Sequence, residues 1–595
     1  VKKLAIKYEM SDPSAKPDSN PAAADVQPFG NAALLKYDNI EPPGHYATLE
    51  HNYYLLDDSP ETWPENPFPI AWIWFSRSMS GANGIFAVPP TLDITFSTVH
   101  KSPGLTLFFY PDTDDYASQI RVTWYGFSGA VIKTGIYAND SVAATIKESV
   151  ADYTRVKIEM LSTNNPYRYI KMFAIEYGII FRFTDNMINT ANLLEEIDPI
   201  SDVLSVNTFD FNILQKNPEF ADTGTSENEF LMKKQKLTLT ADDEMYGVYF
   251  LDIWEDITLN NISFNFNCID AVGAMQSYNF SGGLYQNEPL GSIVAQLFDI
   301  CFPTGDIKFF IDPLLSGATI TGYMPMMDCR QALQWLCFAV GATADASRRN
   351  TVWVYPRDDE TTYYIPRVKV YRNGKMRNRS YRSGVDVTAH EFIEGDEPVE
   401  LYNGELPVGK HTILFNEPAH TLSVAGAAID TTHINYAVVN VAAEGEVVLS
   451  GLKYIHNELI YSVKDEYIVA GEIEDIVVLS GCTLINSENA LLVAQNIYDY
   501  YKYRTVVETD IVLDGKEVGY RANIFLQNKK AVNGIIESLD INLRANRAKS
   551  KIVGKIVETK FIINKMPPDE EALYIWKDEE ENFFTNDKFW IDGSF

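Results

Sequence analysis

The sequence predicts a mainly β protein, a β-rich α+β fold with a few helices, and three observations carry that prediction. The 595-residue chain contains 34 Tyr and 32 Phe, residue types that fit a pleated, half-buried surface. Apolar and polar residues alternate through much of the chain, as in TLDITFS (Thr91–Ser97) and YTRVKIEML (Tyr153–Leu161), which is the period of a strand with one buried face. Gly, Pro and Asn breaks separate these runs at about 8–12 residues. Against this background one stretch, DCRQALQWLCFAVGA (Asp328–Ala342), reads as a helix. Asp328 and Gln331 have capping-box spacing, and Cys329, Ala332, Leu333, Leu336, Cys337 and Val340 recur at helical steps. Trp335, Phe338 and Ala339 make the other side apolar, so the helix is expected to be enclosed. Gly341 ends it where a left-handed residue costs least. Ser347–Asn350 then turn a short hairpin whose return strand is TVWVY.

At 46% hydrophobic residues the chain can bury several cores, about four domains on a prior of ~150 residues each. A net charge of −32 argues against sequence-specific DNA binding, which needs Lys and Arg on phosphates. It suits a solvated, self-repelling surface, including one that DNA must pass without sticking. The five cysteines (Cys268, Cys301, Cys329, Cys337, Cys482) form no CxxC pair and read as buried thiols in a reducing compartment. No secretory leader is read, and apolar runs such as Ala174–Phe181 are interrupted by charge, too short to span a bilayer. The expectation is a soluble protein made in a cytoplasm.

In chain order, residues 1–83 read as an amino-terminal arm and linker. It opens with the strand VKKLAIKYE, passes through a Pro/Ser/Asp/Ala-rich stretch (Met10–Pro28) and YATLEHNYYLLDDS (Tyr46–Ser59), and ends in the aromatic PIAWIWFSRSMS (Pro69–Ser80). The last is too apolar to stay in water and is expected to pack on the next domain. Residues 84–183 give seven short strands at the spacing of a β-sandwich. Their order resembles a discoidin or carbohydrate-binding-module jelly roll, so Tyr110, Tyr116, Trp124 and Tyr125 are the carbohydrate-binding candidates, rings able to stack on sugar faces. The competing reading puts alternate members of these strands in the core. Asp112, Asp114 and Asp115 are a weak calcium candidate, lacking EF-hand spacing.

Residues 187–275 alternate as long strands ending in CIDAVGAM (Cys268–Met275). A helix is expected near Pro289–Cys301 within a helix-and-hairpin segment, 276–359. Residues 360–556 read as a further β region with a helix at Ser487–Tyr503, whose stripe is Ala490, Val493, Ala494, Ile497 and Tyr501. Its terminal YDYYKYR could meet another subunit or pack inward. Residues 557–595 form an acidic, aromatic tail.

Three pieces in this order, CIDAVGAM, Met324–Pro356 and Val518–Ile556, resemble the tail hub proteins of bacteriophages and tail-derived particles. The resemblance covers roughly 187–556. It implies tube-like domains at 187–275 and 360–556, a homotrimer closing a pseudo-six-fold ring, and a place at the distal tip or baseplate of a virion tail. It also implies contacts with a tail tube or distal tail protein and a tip or spike protein, DNA passing through the lumen without specific binding, and assembly in a bacterial host's cytoplasm. Host surface glycan is a further partner through the sandwich.

No catalytic or metal site is read, and no cofactor. The eight histidines show no HExxH or paired metal spacing, and His390-Glu391 reads as an ordinary dipeptide. There is no GxSxG elbow, and Gly282-Gly283 lacks the Lys-Ser/Thr of a phosphate loop. Two alternatives stay open: a glycan-binding adhesin of the tail tip, and a cell-wall glycoside hydrolase using an unrecognised acid pair.

Overall fold

The computed structural model describes residues 3–28, 30–38, 50, 73–110, 114–214, 233–256, 263–357, 360–415, 417–465, 475–526, 530–557, 562–563 and 576–577. The Tyr46–Ser59 stretch (except Glu50), Asp112 and nearly all of the 557–595 tail lie outside the described residues.

One 13-stranded sheet organises the molecule. Its strands are β1 (Leu4–Ser11), β2 (Gly178–Thr184), β3 (Ile188–Glu196), β4 (Thr208–Leu214), β5 (Lys236–Ala241), β6 (Glu244–Asp256) and β7 (Ser263–Ile269) from the first half. The second half adds β8 (Thr361–Ile365), β9 (Lys375–Asn378), β10 (Thr505–Val512), β11 (Arg521–Phe525), β12 (Ala531–Asn542) and β13 (Arg547–Val557). The spatial order is β2-β1-β5-β6-β7-β4-β3-β12-β13-β10-β9, with β11 on β12 and β8 on β11. Within it the same antiparallel unit occurs twice. β5-β6-β7-β4-β3 and β11-β12-β13-β10-β9 have identical order when each unit's strands are counted along the chain. In each, a hairpin is followed by three strands that fold back on its second member. Aromatic side chains fill the first unit: Phe211 stacks on Phe266 (4.8 Å) and on Phe209 (5.0 Å). The first is a cross-strand pair and the second lies along one strand; cross-strand ring pairs stabilise a sheet beyond their area.

The opening residues are not a free arm. LAIKYEMS alternates buried and half-buried positions, and β1 sits between β2 and β5 in the large sheet. Asn20–Ala23, within the expected linker, adds a strand to the sandwich by pairing with Thr91–Ser102. The sandwich is therefore inserted between β1 and β2. One of its sheets has five strands and the other four. Ile73 and Trp74 enter its core, and Trp74 Nε1 donates to the Asp25 carbonyl at 3.0 Å, so the described part of the aromatic stretch, Ile73–Phe75, packs inward; Pro69–Trp72 lie outside the described residues.

Helix α1 (Leu290–Cys301) and helix α2 (Cys329–Val340) share a core with the hairpin Ala342–Asp345/Thr351–Pro356. Asp328 caps α2 by accepting from Gln331 N at 2.9 Å, and Gly341 takes φ 66° at its end. Helix α3 (Ala490–Tyr501) packs into the same core through Ala490, Val493, Ala494 and Ile497. Between β9 and α3 the chain builds a long hairpin, Gly384–Leu406 against Gly445–Lys464. Two stretches in it, Gly395-Asp-Glu-Pro398 and His456-Asn-Glu-Leu459, interrupt the apolar alternation as breaks between strands do. A register shift between Glu394 and Pro398 absorbs the first break, because a bulge tolerates the Pro that a regular ladder would not. IPRVKVYRN (Ile365–Asn373) alternates as a strand would, but the chain makes a 3-10 turn at Arg367–Lys369 after Pro366.

Candidate functional site at the seam of the two strand units

The two units meet where β3 lies on β12, in register from Asn192↔Asn542 to Glu196↔Ser538. The same edge of β12 is shared: β11 covers Ala531–Ile535 and β3 covers Ser538–Asn542. Glu537 sits at the changeover, skipped by the register shift between Ile536 and Ser538. Its carbonyl accepts from Ile197 N at 2.9 Å. Its carboxylate, 5% exposed, accepts from Arg379 Nη2 at 2.9 Å on both oxygens, from Tyr500 Oη at 2.5 Å, and pairs with Lys551 Nζ at 2.9 Å. One bulged acid thus ties together the seam, the end of β9, α3 and β13. Burial, then the Glu537 charge, push the Tyr500 phenol well above its ordinary value, so it stays a donor. The tyrosine-rich end of α3 faces inward here.

A second buried network fastens the first unit to the helix-and-hairpin body. Arg348, in the left-handed region at φ 55°, reaches Glu195 on β3 with two bonds of 2.7 Å. Glu195 is fully buried, and a planar two-point pair is the arrangement that holds a carboxylate out of water. Asn207 uses its amide on both sides: Oδ1 accepts from Glu196 N at 2.8 Å, while Nδ2 donates to Ser347 Oγ at 3.1 Å. Asp270 caps the short helix Ala271–Met275 through Gly273 N at 2.8 Å and accepts from Asn207 N at 3.2 Å. Burial outweighs these donors and pushes its carboxyl up to about 7. An N-cap Asp ahead of Ala-Val-Gly-Ala-Met was readable in the sequence; its neighbours, more than sixty residues away, were not.

A cavity of about 310 Å³ lies where the large sheet, the sandwich and the helix-and-hairpin body converge, lined in part by Glu9, Asp38, Glu176, Lys236 and Asp306. Lys16 bridges Asp38 (2.5 Å) and Glu176 (2.6 Å), and Lys236 reaches Glu9 (3.3 Å). Burial opposes charge on Lys236, but Glu9, Asp38 and Asp306 hold its pKa well above the usual value. These ion pairs tie three bodies together at one point.

The four carbohydrate candidates do not converge on one platform. Trp124 is 1% exposed and Tyr110 5% exposed, so neither offers a ring face to a sugar; alternation along its strand turns Trp124 inward, and Tyr110 is buried just past the end of Leu105–Phe109. Tyr116 and Tyr125 remain half-buried, Tyr116 packing against the sandwich core and Tyr125 lying under Arg155 at 4.9 Å. Asp115 is held by Arg168 Nε (3.1 Å) and Lys171 Nζ (3.2 Å), while Asp112 of the calcium reading lies outside the described residues. His390 and His456, read as unrelated in sequence, stand 2.9 Å apart across the long hairpin.

No family model matches the chain, and no curated protein matches it. Among solved structures it is similar to the tail protein from Neisseria meningitidis MC58, at TM-score 0.38 and 8% identity over 63% of this chain and 93% of that one. It is similar to the 43 kDa tail protein of prophage MuSo2 from Shewanella oneidensis, at TM-score 0.36 and 10% identity over 63% of this chain and 96% of that one. Wild-type discoidin II from Dictyostelium discoideum is matched at TM-score 0.18 and 12% identity, over 42% of this chain and 87% of that one.

Proposed function

We propose that this chain is a structural hub protein at the distal end of a phage or phage-like tail, three copies of which close a ring that continues the tail tube. The observation that carries this reading is the duplicated five-strand unit. Two like units per chain, joined edge to edge through β3 and β12, become six like units in a three-fold ring and match a six-fold tube. Among the described residues the large sheet is open, its path running from β2 to β9, and an open sheet is completed by a neighbour or must be protected. The net charge of −32 suits a lumen that DNA crosses without adhering. The same sequence resemblance over 187–556 supports the placement.

On this reading the protein works by geometry rather than catalysis. The sandwich, outside the ring, holds neighbouring tail proteins and touches host glycan through the half-buried Tyr116 and Tyr125. The test is mass photometry of the purified chain and three-dimensional reconstruction of the assembled particle. The expected species is three times the 67.1 kDa chain with a ring of antiparallel strands. A chain that stays monomeric at assembly concentration and releases sugar from host wall polymers would overturn the proposal.

A further inference from the structure

The long hairpin brings His390 to two ligand atoms, on His456 and Glu458, that lie 66 or more residues further along the chain. His390, 3% exposed at its side chain, faces Glu458 across the strand pair, and His456 faces Phe392 two pairs further on. His390 Nε2 lies 3.1 Å from the Ser480 carbonyl oxygen. A carbonyl only accepts, so the neutral ring carries its proton on Nε2 and its Nδ1 lone pair faces the hairpin. A ring nitrogen anchored to a backbone carbonyl while the other is bare is the usual outer-sphere support of a metal-bound histidine. His456 Nε2 stands 2.9 Å from that bare nitrogen, and its ring is stacked on Phe392 at 4.4 Å and 7°.

Glu458 Oε1 completes a triangle, 3.7 Å from His390 Nδ1 and 3.9 Å from His456 Nε2. Those separations are too long for hydrogen bonds. A point equidistant from three atoms so spaced lies about 2.1 Å from each, within the range of zinc–imidazole and zinc–carboxylate bonds. We propose that His390 Nδ1, His456 Nε2 and Glu458 Oε1 bind one divalent transition-metal ion of the zinc class, with the remaining position open to water. Two imidazoles and one carboxylate select this class over calcium or magnesium, which prefer oxygen. His390 stays anchored on Ser480. His456 and Glu458, 37% and 59% exposed, turn their lone pairs toward the ion. The ion then cross-links the two strands of the hairpin at a level where Ile455, Leu459 and Ile460 are exposed.

The experiment uses the full chain, stripped with chelator and titrated with Co(II) and then Zn(II), read by calorimetry and by the visible absorption of bound cobalt. One equivalent per chain is expected, displaced by zinc, with a melting temperature raised by zinc. His456→Ala should abolish the equivalent and the thermal shift. Glu458→Gln should weaken binding roughly tenfold or more, the scale on which even an outer partner of a ligand matters. Both positions are solvent-accessible, so each variant can be checked as folded by its unchanged melting temperature without metal. No stoichiometric uptake by the parent chain, or uptake unchanged in His456→Ala, would overturn the site and leave a histidine–histidine hydrogen bond.

Discussion

Replacing Glu537 by Gln tests whether the seam is held by one bulged carboxylate. The substitution keeps shape but removes the charge that Arg379, Tyr500 and Lys551 share. It also places an amide donor against at least one of these donors. Breaking a buried pair by removing one partner costs about 3–5 kcal/mol. Arg379 and Lys551 are 23% and 39% exposed, so water recovers part of that loss and about 2–3 kcal/mol is expected. The assay is hydrogen exchange across β3, β12 and α3, with denaturant melts alongside. The seam amides, Ile197 among them, should exchange faster while the sandwich is unaffected. Glu508→Gln is the control: its partners Arg377 and Lys375 are 58% and 76% exposed, and it should cost less than about 1 kcal/mol. Equal effects of the two variants, or accelerated exchange confined to regions away from the seam, would refute the reasoning.

Three other outcomes follow from particular contacts. His100 holds Asp12 and Asp18 through its two ring nitrogens, each at 2.8 Å, and although burial disfavours its charge these acids raise its pKa above the ordinary 6.5. A raised pKa means the clamp contributes fully below pH 6.5 and is lost as pH climbs through the higher folded value. Melting temperature should therefore fall as pH rises above 6.5, and His100→Gln should flatten that slope. Gly554 faces Gly534 across β12 and β13, and a Cβ there would lie 1.9 Å from the Asn533 carbonyl oxygen; Gly554→Ala should cost about 1–3 kcal/mol or more, seen as lost soluble yield and a lower melting temperature. Trp124→Ala should remove about 3–5 kcal/mol from the sandwich, measured by near-UV circular dichroism, because its ring is core rather than platform.

Local pattern made much of the architecture legible. α2 carries its own start at Asp328, its stop at Gly341 and a stripe closed on all sides, so its bounds follow from residues within one short window. The seven sandwich strands are legible for the same reason, since alternation is a property of consecutive residues. The long hairpin was not: Gly395, Asp396, Glu397 and Pro398 have the composition of a turn, and only the facing strand shows that they form a bulge. The site candidates divide in the same way. An aromatic residue on a strand announces that it is buried or useful, while the choice depends on which face the sheet turns to the core. Trp124 went inward.

By itself the sequence determined most of the strand and helix segments, and where α2 begins and ends, since each follows from neighbours in the chain. Only the tertiary structure decided that β1 joins a sheet completed five hundred residues later, that the five-strand unit occurs twice, that Glu537 pins their seam, and that His390 meets His456. Strand pairing links residues by register rather than by distance along the chain, so these partners have no local signature to read.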